Sequence, residues 1–333
     1  MDTGQEYAVP HSNTIVLQPK CIERTVIAGD GARLAVRDYG QRQPLHTVVL
    51  LHGLCLTQDS WAIQIRQLRH RWGSALRIIS YDHRGHGRST GGPTDTYRVE
   101  RLAADLADVL TTLRVSGPVT LAGHSLGGMT ALAYLSRPER PVEPESLVLV
   151  AAAAGRISER GLGRVLASPT ARMLFDLAAR MPHRATERTI RSLIRPLHAM
   201  LARYSSRDIA HTGFAALATE STRAVSPLTA TAFLRDLCDY DVYASLTSIS
   251  AKTVVVSGGA DITIPDAHAQ DLVAAIPDAV YMQQPAAGHM LLLDAPHCVT
   301  TAINRAMGLH RRSGWTAQTW AARYGLPGHA VAS

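Results

Sequence analysis

The stretch PVTLAGHSLGGMTALAYL, residues 118 to 135, decides the fold. A short β-branched run ends at Gly123-His124-Ser125-Leu126-Gly127, and apolar residues then recur at helical spacing. A strand that passes straight into a helix through so tight a turn forces its central residue into a strained conformation, and flanking glycines remove the Cβ atoms that would clash. Ser125 is thereby exposed at a helix N-terminus, where the dipole favours developing negative charge. At average Gly and Ser usage G-x-S-x-G arises by chance about once in ten chains of this length, so its position between strand and helix carries the weight. The competing reading, a phosphate cradle, lacks both G-x-G-x-x-G and the lysine of a phosphate-binding loop.

Seven further apolar, β-branched runs flank this one: IERTVIA from Ile22, LAVRDY from Leu34, TVVLLH from Thr47, RIISYD from Arg77, SLVLVAA from Ser146, TVVVSG from Thr253 and AVYMQQ from Ala279. They read as strands, giving eight in all. Helical patterns alternate with the later ones, in TQDSWAIQIRQLRHRW, YRVERLAADLADVLTTLRV and PDAHAQDLVAAI. Such alternation predicts an α/β fold, a mostly parallel eight-stranded sheet with helices on both faces. The first two strands, joined by AGDGAR, read as an antiparallel hairpin at the sheet edge.

The alternation breaks once, between Ala154 and Lys252. Structureless loops of about a hundred residues are rare in compact domains, so this segment must carry its own helices. LGRVLASPTARMLFDLAARM and ERTIRSLIRPLHAMLARY place apolar residues three and four apart, with Pro196 ending or kinking a helix. The expected layout is a core over 22–154 and 246–308, a helical cap over 155–245 inserted between strands 6 and 7, and extensions over 1–21 and 309–333.

The chain has 333 residues, which at about 150 per domain suits one core with an insertion as well as two domains. With 46% hydrophobic and 18% charged residues it can bury a sizeable core, which excludes low-complexity and collagen-like classes. Cysteines at 21, 55, 238 and 298 show no C-x-x-C spacing, so free thiols and a cytoplasmic setting are expected. The first twenty residues lack a basic start followed by an apolar run, and no stretch reaches 18 uninterrupted apolar residues.

Three more segments accompany Gly123–Gly127 in order: His52-Gly53-Leu54-Cys55, Tyr81-Asp82-His83-Arg84-Gly85-His86-Gly87-Arg88-Ser89 and Gly288-His289. With them the chain resembles the α/β-hydrolase family over residues 22 to 308, and within it the capped serine esterases and lipases of the monoglyceride lipase-like and haloperoxidase-like branches. The resemblance implies hydrolysis of a small-molecule carboxylic ester through an acyl-enzyme, with no cofactor and no metal. A serine at position 125 is unlike the related epoxide hydrolases and haloalkane dehalogenases, which use aspartate there.

A serine hydroxyl is a poor nucleophile at neutral pH and needs a base within hydrogen-bond reach, oriented by a carboxylate. Asp261, in Ser257-Gly258-Gly259-Ala260-Asp261 at the end of the seventh strand, is the expected acid. Asp266, Asp239 and Asp241 are its competitors; Asp266 follows Pro265 at a helix start, where capping accounts for it. His289, after the eighth strand, is the expected base, ahead of His268 and His297, which fall inside helical patterns. One oxyanion donor follows from the turn itself, the Leu126 N–H. By resemblance the second is the Leu54 N–H, with Cys55 near the acyl pocket and His52 holding the loop. His52, His83, His86 and His124 lie in separate strand-end loops without H-x-x-x-H, which argues against a metal site. In the D-H-R-G-H-G-R-S turn, Asp82 and Arg84 are expected to pair or bond locally, with Gly85 and Gly87 taking unusual backbone angles.

Ala151–Ala154 end the sixth strand and are expected to leave volume above Ser125. Met173, Leu174, Phe175, Met181, Leu193 and Leu197 are among the cap side chains available for an apolar pocket, which favours a lipophilic ester. Of the net charge of +7, the segment 155–245 supplies +5, from 13 arginines against 8 acidic residues. A solvated helical face accounts for this, with contact to an anionic membrane surface as the sharper reading. Nucleic acid is not expected, because no basic stripe interleaves with aromatics. The tail holds Trp315 and Trp320 and offers a packing helix or a partner contact. Acyl transfer or perhydrolysis by the same three residues is the alternative activity, and a non-catalytic ligand-binding protein requires an incomplete triad. The sequence leaves the oligomeric state open.

Overall fold

The computed structural model describes residues 21–308, apart from 42–43, 167, 171–172 and 174–224. Every apolar run forms a strand: β1 (Ile22–Ile27), β2 (Arg33–Tyr39), β3 (His46–Leu51), β4 (Leu76–Tyr81), β5 (Val119–His124), β6 (Ser146–Val150), β7 (Lys252–Gly258) and β8 (Val280–Gln284). They make one sheet in the order β1-β2-β4-β3-β5-β6-β7-β8. The β1–β2 and β2–β4 pairings are antiparallel and the other five are parallel, so only β2 runs against the rest.

The central strands are buried along their whole length, because helices cover both faces. Alternate residues of each strand divide between two cores. Val49, Leu51, Leu121, Leu147 and Leu149 pack with α2 (Val99–Thr112) and α3 (Leu126–Leu135). Val48, Leu50, Ala122, Val148 and Val150 pack with α1 (Ala62–Trp72) on the opposite face. At roughly 1.5–3 kcal/mol per buried aliphatic side chain, these two layers supply the main driving force for the fold.

The excursion between β6 and β7 is helical where it is described, with α4 (Gly161–Leu166) and α5 (Pro227–Asp239). Most of the two Arg-rich segments expected to form a cap, including Pro196 and the pocket candidates from Leu174 to Leu197, lies outside the described residues, as do Trp315 and Trp320. The excursion leaves and returns side by side. Gly155 bridges Asp241 in antiparallel fashion, and the Val242 N–H donates to the Ala154 carbonyl at 2.8 Å. Beyond β7 come α6 (Asp266–Ala275), α7 (Leu291–Asp294) and α8 (Pro296–Met307), the last of which closes the second core through Val299, Ala302, Ile303 and Ala306.

Two local expectations are corrected. Arg84 does not pair with Asp82. Its guanidinium is fully buried and bonds Asp105 of α2 and Asp30 of the β1–β2 turn. Asp82 instead accepts from the backbone N–H groups of Gln58 and Arg88. A buried guanidinium needs carboxylates to offset its desolvation, and two were available only at long range. Gly85 and Gly87 do take positive φ, 71° and 51°. Asp266 is also not a cap: Pro265 holds the cap position of α6, and the Asp266 carboxylate accepts from Ser257, Tyr281 and Gln270, tying α6 to β7 and β8.

Candidate active site

The parallel strands bring their C-terminal ends to one edge of the sheet, and the turns leaving β3, β5, β7 and β8 carry Leu54, Ser125, Leu126, Asp261 and His289. Ser125 sits between β5 and α3 with φ 52° and ψ −118°, a left-handed conformation that L-residues rarely adopt. Its neighbours explain why the turn holds. A Cβ on Gly123 would lie 2.4 Å from the Gly127 backbone, and one on Gly127 would lie 2.2 Å from the Leu51 carbonyl oxygen. The Ser125 N–H donates to the Val150 carbonyl at 2.9 Å, and its own carbonyl accepts from Met129, so both backbone groups are satisfied despite the strain.

Ser125, His289 and Asp261 come together across 164 and 28 residues of sequence. His289 Nδ1 lies 2.8 Å from Asp261 Oδ2, and His289 Nε2 lies 3.1 Å from Ser125 Oγ. A carboxylate only accepts, so Nδ1 carries the proton, and Nε2 of the neutral ring is then free to accept from the serine hydroxyl. The other Asp261 oxygen accepts from the Thr263 and Ile264 N–H groups at 2.8 and 2.9 Å. Asp261 is therefore a turn aspartate and a histidine partner at once. Its side chain is fully buried, whereas that of His289 is 21% exposed. Asp266, Asp239 and Asp241 make no bond to His289. His297, in α8, faces Gln67, and His268 is buried in α6.

The Leu126 N–H opens α3 and has no partner within the helix. Leu54 follows Gly53, whose Cα packs so close that an added Cβ would lie 3.3 Å from Ser125 Cβ and 2.8 Å from His124 Nδ1. The next N–H, that of Cys55, is taken by His86 Nε2 at 3.3 Å. Burial pushes the Cys55 thiol up to about 11, so it is a neutral neighbour.

Three imidazoles brace this loop. His52 donates from Nδ1 to the Gly53 carbonyl at 2.8 Å and accepts the His83 N–H at its Nε2. His83 donates from Nε2 to the His52 carbonyl, and His86 donates from Nδ1 to the Arg84 carbonyl. The ring centroids of His83 and His86 lie 4.3 and 5.1 Å from that of His52. Burial pushes His52 down to about 4, His83 well below its usual range and His86 down to about 3. The loop-holding role expected for His52 thus extends to three residues, and both nitrogens of His52 and His86 are committed to backbone groups. Among the described residues no three His, Cys, Asp or Glu side chains converge as metal ligands would.

Ala151–Ala154 are all buried, and Ala152 Cβ lies 2.5 Å from where a Cβ on Gly128 would stand, so the small side chain of Ala152 admits the first turn of α3.

His124 was not singled out as a site residue by sequence reasoning, although it adjoins Ser125. It is 1% exposed, donates from Nε2 to the His289 main-chain carbonyl at 2.9 Å, and lies ring to ring with His289 at 5.1 Å. Burial and the neighbouring His289 push it down to about 3.

Comparison with known proteins agrees with this architecture. Residues 46–296 match the model of the alpha/beta hydrolase fold family. A non-heme chloroperoxidase of Streptomyces lividans is 38% identical over 132 residues, which are 38% of this chain and 44% of that protein. A bifunctional esterase/perhydrolase of Acinetobacter calcoaceticus is 33% identical over 124 residues, 37% of this chain and 43% of that protein. The matched regions thus span less than half the length of these relatives. Among solved structures, an esterase from Exiguobacterium antarcticum superposes with a TM-score of 0.69 at 23% identity, over 86% of this chain and all of that one. By strand order, strained turn and family match together, this chain belongs to the α/β-hydrolase fold family.

Proposed function

We propose that the chain is a serine hydrolase that cleaves carboxylic esters. The observation that carries the reading is the unbroken hydrogen-bond chain from Asp261 through His289 to a serine held at φ 52°. Ser125 Oγ attacks the ester carbonyl while His289 Nε2 takes its proton; Asp261 holds the ring and stabilises the imidazolium. The Leu54 and Leu126 N–H groups receive the oxyanion, each such donor contributing about 3 kcal/mol. His289 returns the proton to the leaving alcohol. Water, deprotonated by the same ring, then releases the acid and restores Ser125.

Substrate preference rests on the segment 155–245, proposed as a cap over this edge. Its Met, Leu and Phe side chains favour an apolar acyl or alcohol part, and its excess of arginine favours contact with anionic surfaces. Among the described residues no helix is long and apolar enough to cross a membrane, and four cysteines outside any disulfide favour a cytoplasmic setting. Labelling by a fluorophosphonate probe, lost in Ser125→Ala, tests the nucleophile. A chain-length series of nitrophenyl esters tests the pocket, and co-sedimentation with anionic vesicles tests surface contact. Failure of folded protein to label at Ser125 sinks the catalytic reading.

The second reading is perhydrolysis or acyl transfer, favoured by the esterase/perhydrolase relative. Here peroxide or an alcohol replaces water at the acyl-enzyme. Product analysis with these nucleophiles in competition separates the outcomes.

A further inference from the structure

We propose that His124 is a positioning residue that sets the reach of the base, an inference that rests on the triad reading above. His289 is held at two points. Asp261 fixes Nδ1 of its ring, and His124 fixes its main-chain carbonyl at 2.9 Å. With the first point alone the imidazole is free to pivot about the Nδ1 to Oδ2 bond. The second point fixes the backbone from which the ring hangs.

The anchor for that second point is the residue covalently joined to the nucleophile. A closed loop of bonds therefore runs from Ser125 through its own peptide to His124, across the imidazole to the His289 carbonyl, and back through the His289 ring to Ser125 Oγ at 3.1 Å. Movement of the turn bearing Ser125 carries the base with it. Two parts of the chain 165 residues apart thus keep the alignment that proton transfer needs.

The chemistry of the ring supports the assignment. A carbonyl can only accept, so His124 Nε2 bears the proton and Nδ1 is a bare lone pair. That Nδ1 is buried and has no hydrogen-bond partner, a cost that an apolar residue in its place would avoid. The preceding residues of β5, Leu121 and Ala122, are apolar. The single hydrogen bond of the His124 side chain therefore goes to the residue proposed as the base, and its ring also packs against Gly53, where the oxyanion loop begins.

Two variants of similar polarity test the role. In His124→Gln the side-chain amide nitrogen stands where Nε2 stood and still reaches the His289 carbonyl; in His124→Asn it falls short. With a nitrophenyl ester, His124→Asn is expected to lower kcat about 10- to 100-fold with KM within about twofold of wild type, as sub-ångström misplacement does, while His124→Gln recovers most of the rate. Fluorophosphonate labelling rates should follow the same order. Equal rates for the two variants, losses carried by KM, or failure of both to fold would each overturn the proposal. Ser125→Ala measured alongside separates the two levels: retained activity there sinks the triad itself, whereas a dead Ser125→Ala beside a fast His124→Asn sinks only the role of His124.

Discussion

Two rows of hydroxyl and imidazole groups lie at opposite ends of the same strands. At the N-terminal ends of β3, β5 and β6, His46 Nε2 bonds Thr120 Oγ1 at 2.7 Å, and Thr120 bonds Ser146 Oγ at 2.7 Å. At the C-terminal ends stand Asp261, His289 and Ser125. Both rows put an imidazole nitrogen within bonding distance of a hydroxyl, so adjacency does not distinguish them. The lower row is at most 2% exposed, sits on regular strand backbone and has no carboxylate in its hydrogen-bond chain. The upper row has a carboxylate, a partly exposed imidazole, a serine on a strained turn and a helix N-terminus beside it. The proposed nucleophile is set by turns at strand ends, while the same groups inside the sheet simply satisfy one another.

The comparison breaks most sharply if the upper row is made to resemble the lower. Asp261→Asn removes the carboxylate and favours the wrong imidazole tautomer, so kcat should fall about 10^3- to 10^4-fold in an ester assay, with little change in KM. A loss under tenfold would mean that the carboxylate is not what separates the rows. Acidification is expected to have the next largest effect and to strike both ends. His46 and His52 sit near 4 and His86 near 3 when folded, below the usual 6.5, so the unfolded chain takes protons first as pH falls. The contribution of these rings to stability should therefore be fully present above about pH 7 and be lost from about 6.5 down to about 3. A urea midpoint unchanged between pH 7 and 4.5 would show that these rings titrate freely in the folded protein.

Gly127→Ala tests the strained turn alone. Its Cβ would stand 2.2 Å from the Leu51 carbonyl oxygen, so a shift costing about 1–3 kcal/mol in urea unfolding is expected, together with lost activity. The smallest effect belongs to the lower row. Ser146→Ala should cost about 0.5–1.5 kcal/mol of stability and leave kcat and fluorophosphonate labelling at wild-type levels. A fall in kcat there would show that the two ends communicate through β6.

The contrast also explains what was legible in the sequence. The eight strands were readable because central strands covered on both faces become unbroken apolar runs, as in Val48–Leu51 and Leu147–Val150. Ser125, Asp261 and His289 were readable as candidates because each follows a strand at a turn that contains glycine. Side-chain partners were not. Arg84 reaches Asp105 and Asp30, at separations of 21 and 54 residues, where proximity in sequence suggested Asp82. Asp266 looked like a cap because it follows a proline, but the sheet register placed Ser257 and Tyr281 against it. His46 and His124 give no signal of their own, since a strand-end histidine reads alike whether it meets a threonine or a main-chain carbonyl.

The Gly155 to Asp241 bridge has a consequence for divergence. The chain leaves and rejoins the body side by side at this bridge, and the described helices of the excursion also pack on the body through Phe233 and the bond from the Val99 N–H to Asp236. Extra length between α4 and α5 therefore costs mainly the entropy of closing a longer loop. Closure entropy grows only logarithmically, so doubling the intervening length costs about 0.6 kcal/mol. Insertions of quite different length between α4 and α5 are therefore expected to leave β6, β7 and the turn around Ser125 in place. On the proposed reading of 155–245 as a cap, substrate choice is then free to drift faster than the chemistry beneath it.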